Sequence, residues 1–484
     1  TKGQQVIKNE DDDDSPIVIY DTVKTIQFEV EHDVGDGQIT YSSSNEETLR
    51  GFEAFIAPQM SANFDKVTVE ENNHHIIIKL LAENNVVARA EIGLYAKATF
   101  VVNNTQAPLV SFTKSDDKGM CKIIAPTVNG YVAEYDYIIL STIHDELEKT
   151  VYYSTVDIWD GKTVSESLEG EGTLENPYLV KSGADLAYIA SVVNAAGEKA
   201  PNFSGRYFKM TQSIDLNGHD LYVGQYTGWS TRRGFYGFFD GNHCTVRGLD
   251  QNTSLFGTIE NGYLKNLSVY GKISGATNEA TGGIVGYAAN GGVLENLTNY
   301  VTVTGKSTLG GVVGNAENQA STVINCVNYA NVTGSSWNVG GIAGSGGHDL
   351  INCINHGNVT STASVNVGGI AGTTKATGKI ENCYNYGNIK ASGQAGGIVG
   401  LAKKSVFNCV NHGDVSGTWA LAGIVGYADR GDDASISVTI SGCVNHGKIA
   451  GSSTSIAGIF ALSKNDPNVI VLVKNCKNNG EVST

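Results

Sequence analysis

Long apolar runs are missing from this chain. No stretch of about 18 apolar residues occurs anywhere in its 484, so no transmembrane helix is expected. Proline is scarce, at 7, and charged residues make up only 17%, which argues against a disordered linker and against long charged helices. Positive charge is in the minority. The 33 Lys and Arg face 49 Asp and Glu, and the formal charge of −16 disfavours phosphate backbones and anionic membrane surfaces as partners. The chain opens Thr1-Lys2-Gly3-Gln4-Gln5, with no initiating Met and no leader-like stretch. That start is expected of a mature or trimmed chain, and it carries no information on compartment. What is plentiful is glycine, at 59, beside 41% apolar residues. Together they fit short strands joined by tight turns around a sizeable core. The length fits two to four structural units at roughly 100–200 residues each.

The texture changes along the chain. Residues 1–15 are polar and contain Glu10-Asp11-Asp12-Asp13-Asp14, five adjacent carboxylates that repel and cannot pack, so a disordered acidic tether is expected there. Residues 16–158 alternate apolar and polar side chains, as in Thr25-Ile26-Gln27-Phe28-Glu29-Val30 and Ile76-Ile77-Ile78-Lys79-Leu80. Period-2 segments broken by Asn, Gly and Asp predict antiparallel sheets, as a β-sandwich of one or two Ig-like domains. Residues 159–254 hold the best helix candidate, Asp185 to Asn194. Leu186, Ile189, Ala190 and Val193 share one face there, and Asp185 is placed to cap it. Extended segments follow. The helix is expected to cover the N-terminal end of a stacked-strand core, because an open strand edge pairs with other chains.

From residue 255 to 484 the chain repeats itself. The motif Gly-Gly-Ile-Val-Gly starts at Gly282, Gly310, Gly340, Gly368 and Gly396, with variants from Ala422 and Ala457. Successive starts lie 28, 30, 28, 28, 26 and 35 residues apart. A second motif, Asn-Cys-x-Asn-(Tyr/His)-Gly-x-(Val/Ile), alternates with it. Clear copies run from Asn352 to Val359, Asn382 to Ile389 and Asn408 to Val415. Each unit has two or three strand-length pieces and no helix, too short for a propeller blade of about 40–45 residues. One turn of a right-handed parallel β-helix fits, with turns stacked about 4.8 Å apart. Stacking explains the recurrence: Ile284, Val312, Ile342, Ile370, Ile398, Ile424 and Ile459 would rest on one another inside the coil. Asn299, Asn328, Asn355, Asn385, Asn411, Asn445 and Asn478 would form a ladder at one corner. The Gly that follows would supply a turn with positive φ. The fold class is therefore all-β: an Ig-like sandwich region, a short capping helix and a parallel β-helix.

These repeats resemble the GLUG-motif family of bacterial surface proteins, found also in some immunoglobulin-A metallopeptidases. The lead-in is similar too, through Gly172-Thr173-Leu174-Glu175-Asn176-Pro177-Tyr178-Leu179, Ile214-Asp215-Leu216, Phe239-Asp240-Gly241-Asn242-His243 and Leu255-Phe256-Gly257. The resemblance covers residues 159–484. It implies a Bacteroidetes-like surface protein with a β-helix behind Ig-like domains. The acidic run at 10–14 resembles the export signal that follows the lipidated Cys of such lipoproteins, and that Cys is absent from this sequence. The resemblance implies no peptidase, because His-Glu-x-x-His does not occur.

Three groups of residues are candidates for chemistry. Cys326, Cys353, Cys383, Cys409, Cys443 and Cys476 sit one per turn. Inter-turn disulfides would be within reach. A tetrahedral metal site would not, since a line of thiols does not converge. A reduced ladder of small hydrophobes is the expectation. Tyr300, Tyr329, His356, Tyr386, His412 and His446 share one repeat position. They either form an outward stripe that stacks on sugar rings or pack against the turn beside the Asn ladder. Arg430-Gly431-Asp432 spells the tripeptide read by many integrins, in a loop lengthened from Asp429 to Ser437. Of the polygalacturonase set, only Asp432-Asp433 is matched, and Gly347-His348-Asp349 stands in the wrong order.

The sequence therefore predicts a chain without enzymatic activity, metal or cofactor. It would serve as an adhesin or scaffold at the cell surface, outer-membrane-anchored or secreted. Its ligand would be an extracellular protein or glycan, with Arg430, Gly431, Asp432, Tyr329, His356, Tyr386, His412 and His446 as binding candidates. A carbohydrate-binding surface protein is the first alternative and a β-helix polysaccharide lyase or hydrolase the second. No nucleic acid is expected as a partner, the membrane only through an N-terminal lipid anchor, and the chain is expected to be a monomer.

Overall fold

The structure is a computed structural model. It describes only the strands of residues 17–95, then side chains as well for most residues from 96 to 484. The gaps in that later stretch are 103–108, 116–119, 142–147, 196–202, 227–231, 278–279, 307, 317–320, 336, 363–365 and 453–454. The acidic tether expected at 1–15 lies outside the described residues. The chain divides into two compact units, Thr1–Ser154 and Thr155–Thr484.

In the first unit the alternating segments do form strands, and their topology is not that of an Ig-like sandwich. Eleven belong to one mixed sheet, in which Glu148–Ser154 runs parallel to Ile92–Val102. Met120–Ile124 and Tyr137–Ser141 make a separate antiparallel pair. Ala98, Phe100, Val102 and Val151 of the large sheet share a core with Cys121, Ile123, Ile138 and Leu140 of the pair.

The second unit is a β-solenoid of about nine turns with one short helix, α1 (Gly183–Asn194). Its strands lie in three parallel sheets of 25, 8 and 7 strands, beside one antiparallel pair of Gln225–Tyr226 with Arg232–Arg233. Registers match the repeat: Ile354 pairs with Tyr384, Asn355 with Asn385, and Asn385 with Asn411. The inward series Ile284, Val312, Ile342, Ile370, Ile398 and Ile424 is completely buried, and only Ile459, in the last turn, is half-buried.

α1 begins earlier than its apolar pattern. Ser182 rather than Asp185 is the cap, and its hydroxyl accepts from the Asp185 amide at 3.2 Å. Asp185, now in the first turn, accepts from the amide of Lys181, the residue before the cap, at 2.9 Å. Leu186, Ile189 and Val193 are buried and belong to the same apolar core as Phe208, Met210, Ile214 and Val223 of the first turns. Asn194 pins its far end, accepting from the Gly224 amide and donating to the Tyr222 carbonyl, both at 2.8 Å.

Two motif glycines act differently from the expectation. The Gly after Tyr or His does not have positive φ; the first Asn of the motif does, at Asn325, Asn352, Asn382, Asn408 and Asn475 (φ 50–53°). Where that Asn is replaced, Gly442 takes the same conformation at 66°. The later Gly is needed for closeness: a Cβ on Gly387 would stand 1.9 Å from the Gly357 carbonyl oxygen one turn away. The second Gly of Gly-Gly-Ile-Val-Gly faces the Asn ladder across the coil. A Cβ on Gly369 would stand 2.2 Å from Asn385 Cγ, and Gly341, Gly397 and Gly423 face Asn355, Asn411 and Asn445 in the same way. The two motifs recur together because each makes room for the other.

Candidate functional site

The Asn ladder is the frame on which the candidate residues sit. Asn299, Asn328, Asn355, Asn385, Asn411 and Asn445 are fully buried. Each Nδ2 donates to the Oδ1 of the next Asn at 2.7–2.8 Å and to a carbonyl two residues on in its own turn. Burying an amide without partners costs about 1–3 kcal/mol, and here every rung supplies them. The next residue is held by the same ladder: the amides of His356, Tyr386, His412 and His446 each donate to an Asn carbonyl one turn back at 2.7 Å.

Those side chains form one continuous stack, Tyr270, Tyr300, Tyr329, His356, Tyr386, His412 and His446. Their centroids are 4.4–5.0 Å apart and neighbouring planes lie within 13° of parallel. The Arg247 guanidinium lies 3.9 Å over the ring of Tyr270, a cation–π contact at the upstream end. At the other end Asn479 Nδ2 lies 3.4 Å from His446 Nδ1. All seven rings are half-buried. Their faces cover one another, and the Tyr386 hydroxyl oxygen and His412 Nε2 are buried. Burial pushes the His356 imidazole down to about 3, and burial lowers His446 as well. Tyr270 extends the column one turn before the motif begins. Its pairing with Tyr300 was detectable only from register.

The Arg430-Gly431-Asp432 loop does not offer its arginine freely. Arg430 Nε donates to Asp466 at 2.7 Å and Nη1 to the Asp433 carbonyl at 2.6 Å, while Lys403 holds the Asp433 carboxylate at 3.0 Å. Gly431 and Asp432 are exposed. The guanidinium half of the tripeptide is committed to the solenoid.

All eight cysteines are free thiols and seven are buried. In the repeat the Sγ atoms face carbonyl oxygens of their own turn and the one before, as Cys353 does those of Ile351 and Val323 at 3.4 and 3.6 Å; Cys409 faces only Phe407 of its own turn and accepts from the Cys383 amide. Burial holds the thiols of Cys353, Cys383 and Cys409 well above their ordinary value. No group of three or more metal-ligating side chains converges among the described residues.

Two features escaped the sequence reading. Lys404 is buried, only 1% exposed, with Nζ donating to the carbonyls of Gly347 and, at 2.8 Å, His348, two turns away. Burial pushes its amine down to about 7. Nothing in Leu401-Ala402-Lys403-Lys404 distinguishes this lysine from a surface one. Trp337 and Trp419 are 64% and 41% exposed. Each stands two residues before paired positions of one sheet, Val339 and Leu421, so they occupy the same corner three turns apart.

No family model matches the chain. It is 29% identical over 200 residues to halomucin of Haloquadratum walsbyi, an alignment covering 39% of this chain and 2% of that protein. It is 34% identical over 142 residues to a protein of Evansella cellulosilytica described as a Gly-rich membrane protein, covering 27% of this chain and 15% of the other. The chain thus spans a small fraction of both relatives. Among solved structures it resembles a protein described as an immunoglobulin A1 protease from Bacteroides ovatus, at TM-score 0.40 and 22% identity, over 61% of this chain and 86% of that one. A structure described as an IgA1 protease matches at TM-score 0.37 and 14% identity, over 86% of this chain and 28% of that one. The class these comparisons and the fold define is a β-solenoid protein with surface- or membrane-type relatives. The expectation of a chain without enzymatic activity is corrected here, because both structural neighbours carry the name of a protease. At this level of likeness the names assign no reaction to this chain.

Proposed function

We propose that this chain is a cell-surface protein, an adhesin or scaffold of the GLUG-repeat kind, that presents the side of its solenoid to an extracellular ligand. The observation that carries this reading is the pair Trp337 and Trp419, exposed on one corner. Three turns at about 4.8 Å each put them roughly 14 Å apart. Large apolar rings held in the open are costly, and Trp is the residue most enriched at binding hot spots. The corner leads straight into the paired strands Asn338–Gly340 and Leu421–Ala422 of the stacked coil, which limits the ordering cost of binding. The relatives named as a halomucin and a membrane protein support a surface location.

A glycan ligand is the second reading. It is favoured by Trp419 leaning on Tyr427 at 5.4 Å and 40°, which fixes the ring while leaving it accessible. A screen against host matrix proteins and a glycan array separates the two. Trp337→Ala with Trp419→Ala should weaken binding to whichever ligand is found by at least tenfold. Undiminished binding by a folded double variant would remove this corner from consideration.

A further inference from the structure

A hollow runs along one side of the solenoid. It is built on the end of Val293–Gly305 and on Val332–Gly334, Val359–Ser361, Ile389–Ala391, Val415–Gly417 and Ile449–Gly451, stacked in register. Val303, Val332, Val359, Ile389, Val415 and Ile449 are buried in the core. The residues on either side of them face outward and make two columns roughly 7 Å apart. The first column is Asn331, Asn358, Asn388 and Asp414. The second is Thr304, Thr333, Thr360, Lys390 and Ser416. Two residues further along each turn, a third column holds Lys306, Ser335, Thr362, Ser392 and Thr418, all exposed. A space of about 420 Å³ lies between the first two columns from Asn358 to Lys448. Another of about 310 Å³ lies between the second and third from Thr304 to Thr362. Both follow the second column, so the hollow runs from Thr304 to Ala450, five turn spacings or roughly 24 Å along the axis.

Hydrogen bonding fixes what each wall offers. The amides of Asn358, Asn388 and Asp414 donate to the side chains of Asn331, Asn358 and Asn388 at 2.9–3.0 Å. A backbone amide can only donate, so the atom it meets is Oδ1. Each Nδ2 then keeps two protons, with no partner among the described residues. In the third column the hydroxyls of Ser335, Ser392 and Thr418 donate to the carbonyls of Gly305, Thr362 and Ser392 at 3.3, 3.0 and 2.9 Å. Their protons are spent and their lone pairs remain. One wall therefore donates and the other accepts. Lys306 and Lys390 are exposed on this hollow and make no ion pair among the described residues. Lys448, at its far end, is bound to Glu481 at 3.1 Å. Asp414 is the one carboxylate among the described lining residues. Two unpaired cations in one hollow of a chain of −16 favour an anionic ligand.

We propose that this hollow binds a linear acidic glycan, a chain of sugars carrying carboxylates, laid along the solenoid axis. The proposal rests on the reading of the solenoid side as a ligand-presenting surface. Carboxylates meet the Nδ2 and Nζ donors of the first two columns, and sugar hydroxyls donate to the oxygens of the third. Acidic side chains of a polypeptide match the donor wall only, because a carboxylate has no proton to give the other. Trp419 follows Thr418 directly and Trp337 is two residues after Ser335, which sets an exposed ring beside the third column at both turns.

The test is calorimetric titration of the 484-residue chain with alginate and polygalacturonate oligosaccharides, both linear chains of uronates. The same oligosaccharides with their carboxyls reduced, and polyglutamate, are titrated beside them. The expected result is binding of a uronate chain that weakens as salt rises, with the reduced chains and polyglutamate at least tenfold weaker. Asn358→Asp with Asn388→Asp keeps an oxygen for the amide of the next turn and replaces the donors by charge. It should weaken uronate binding at least tenfold at an unchanged melt. If that variant melts early, Lys306→Gln with Lys390→Gln, on exposed side chains, is read in its place. Failure of both uronate chains to bind overturns the proposal, as does binding that these variants leave intact. Equal binding of the reduced chains or of polyglutamate overturns it too. A matrix protein or neutral glycan captured through Trp337 and Trp419 instead would overturn the acidic glycan and leave the solenoid side as the binding surface, whereas no ligand of any class on that side would remove both.

Discussion

At the scale of single residues, the fold depends on side chains that are absent. Gly369 has no Cβ because the Gly397 carbonyl oxygen would lie 2.1 Å from it and Asn385 Cγ 2.2 Å. Neither neighbour can move alone: one is backbone of the next turn and the other is bonded to the Asn above and the Asn below. Overpacking a tight interior typically costs 1–3 kcal/mol, and a clash with two fixed groups belongs at or above the top of that range, about 3 kcal/mol. Gly369→Ala is therefore expected to lower the denaturation midpoint sharply. Asn408→Gly should change stability by roughly 0.5 kcal/mol or less, since Gly442 already fills that left-handed position in the next turn. Urea titration of the two variants checks both. Equal effects would show that the Gly–Asn packing is not what holds the turns together.

At the scale of elements, α1 is expected to cap the upstream end of the stack of turns. Leu186 is 1% exposed and Ile189 fully buried, both in the same apolar core as the side chains of the first turns. Leu186→Asp would place a carboxylate in that apolar core, which is costlier than losing the contact. The expected outcome is an opened upstream edge and aggregation, seen as light scattering at temperatures where the parent stays clear. A clear solution and an unchanged melt would show that the helix is not a cap. The element scale is also where sequence is most and least informative. The Ile and Asn columns are legible because a stacked turn makes each position the neighbour of its own copy, so the chemistry must recur. The limits of α1 are not, because Ser182 caps it outside the apolar pattern. The topology of the first unit is not either: alternation says which residues face a core, but not that Glu148–Ser154 will pair parallel with Ile92–Val102. The candidate column Tyr329 to His446 was visible as a column. Its ring faces turned inward on one another follow from the turn spacing, which puts like residues in van der Waals contact before any ligand can reach them.

At the scale of the molecule, His356, Lys404 and the thiols of the ladder contribute to how stability depends on pH. His356 has its imidazole lowered from 6.5 to about 3 by burial. The unfolded chain therefore binds more protons than the folded one between those values, and stability falls as pH drops through that window. Lys404 has its amine lowered from 10.5 to about 7, also by burial. Again the unfolded chain holds the extra proton, now between about 7 and 10.5, so this group adds stability as pH rises through that range. The thiols of Cys353, Cys383 and Cys409 act in the opposite sense. Burial raises them well above 9.0, so above that value the unfolded chain loses protons that the folded one keeps, and stability declines. Taken together, these three contributions are most favourable between about pH 7 and 9. Urea midpoints measured from pH 4 to 10 should trace that curve. His356→Tyr should flatten its acid limb at little cost, because Tyr already occupies the position at Tyr329 and Tyr386. Lys404→Met should remove the rise above pH 7 while lowering stability throughout, since it leaves the Gly347 and His348 carbonyls without their buried donor. A maximum near pH 5, or an acid limb unchanged by His356→Tyr, would mean that these groups reach water in the folded state and that the column is looser than its stacking distances imply.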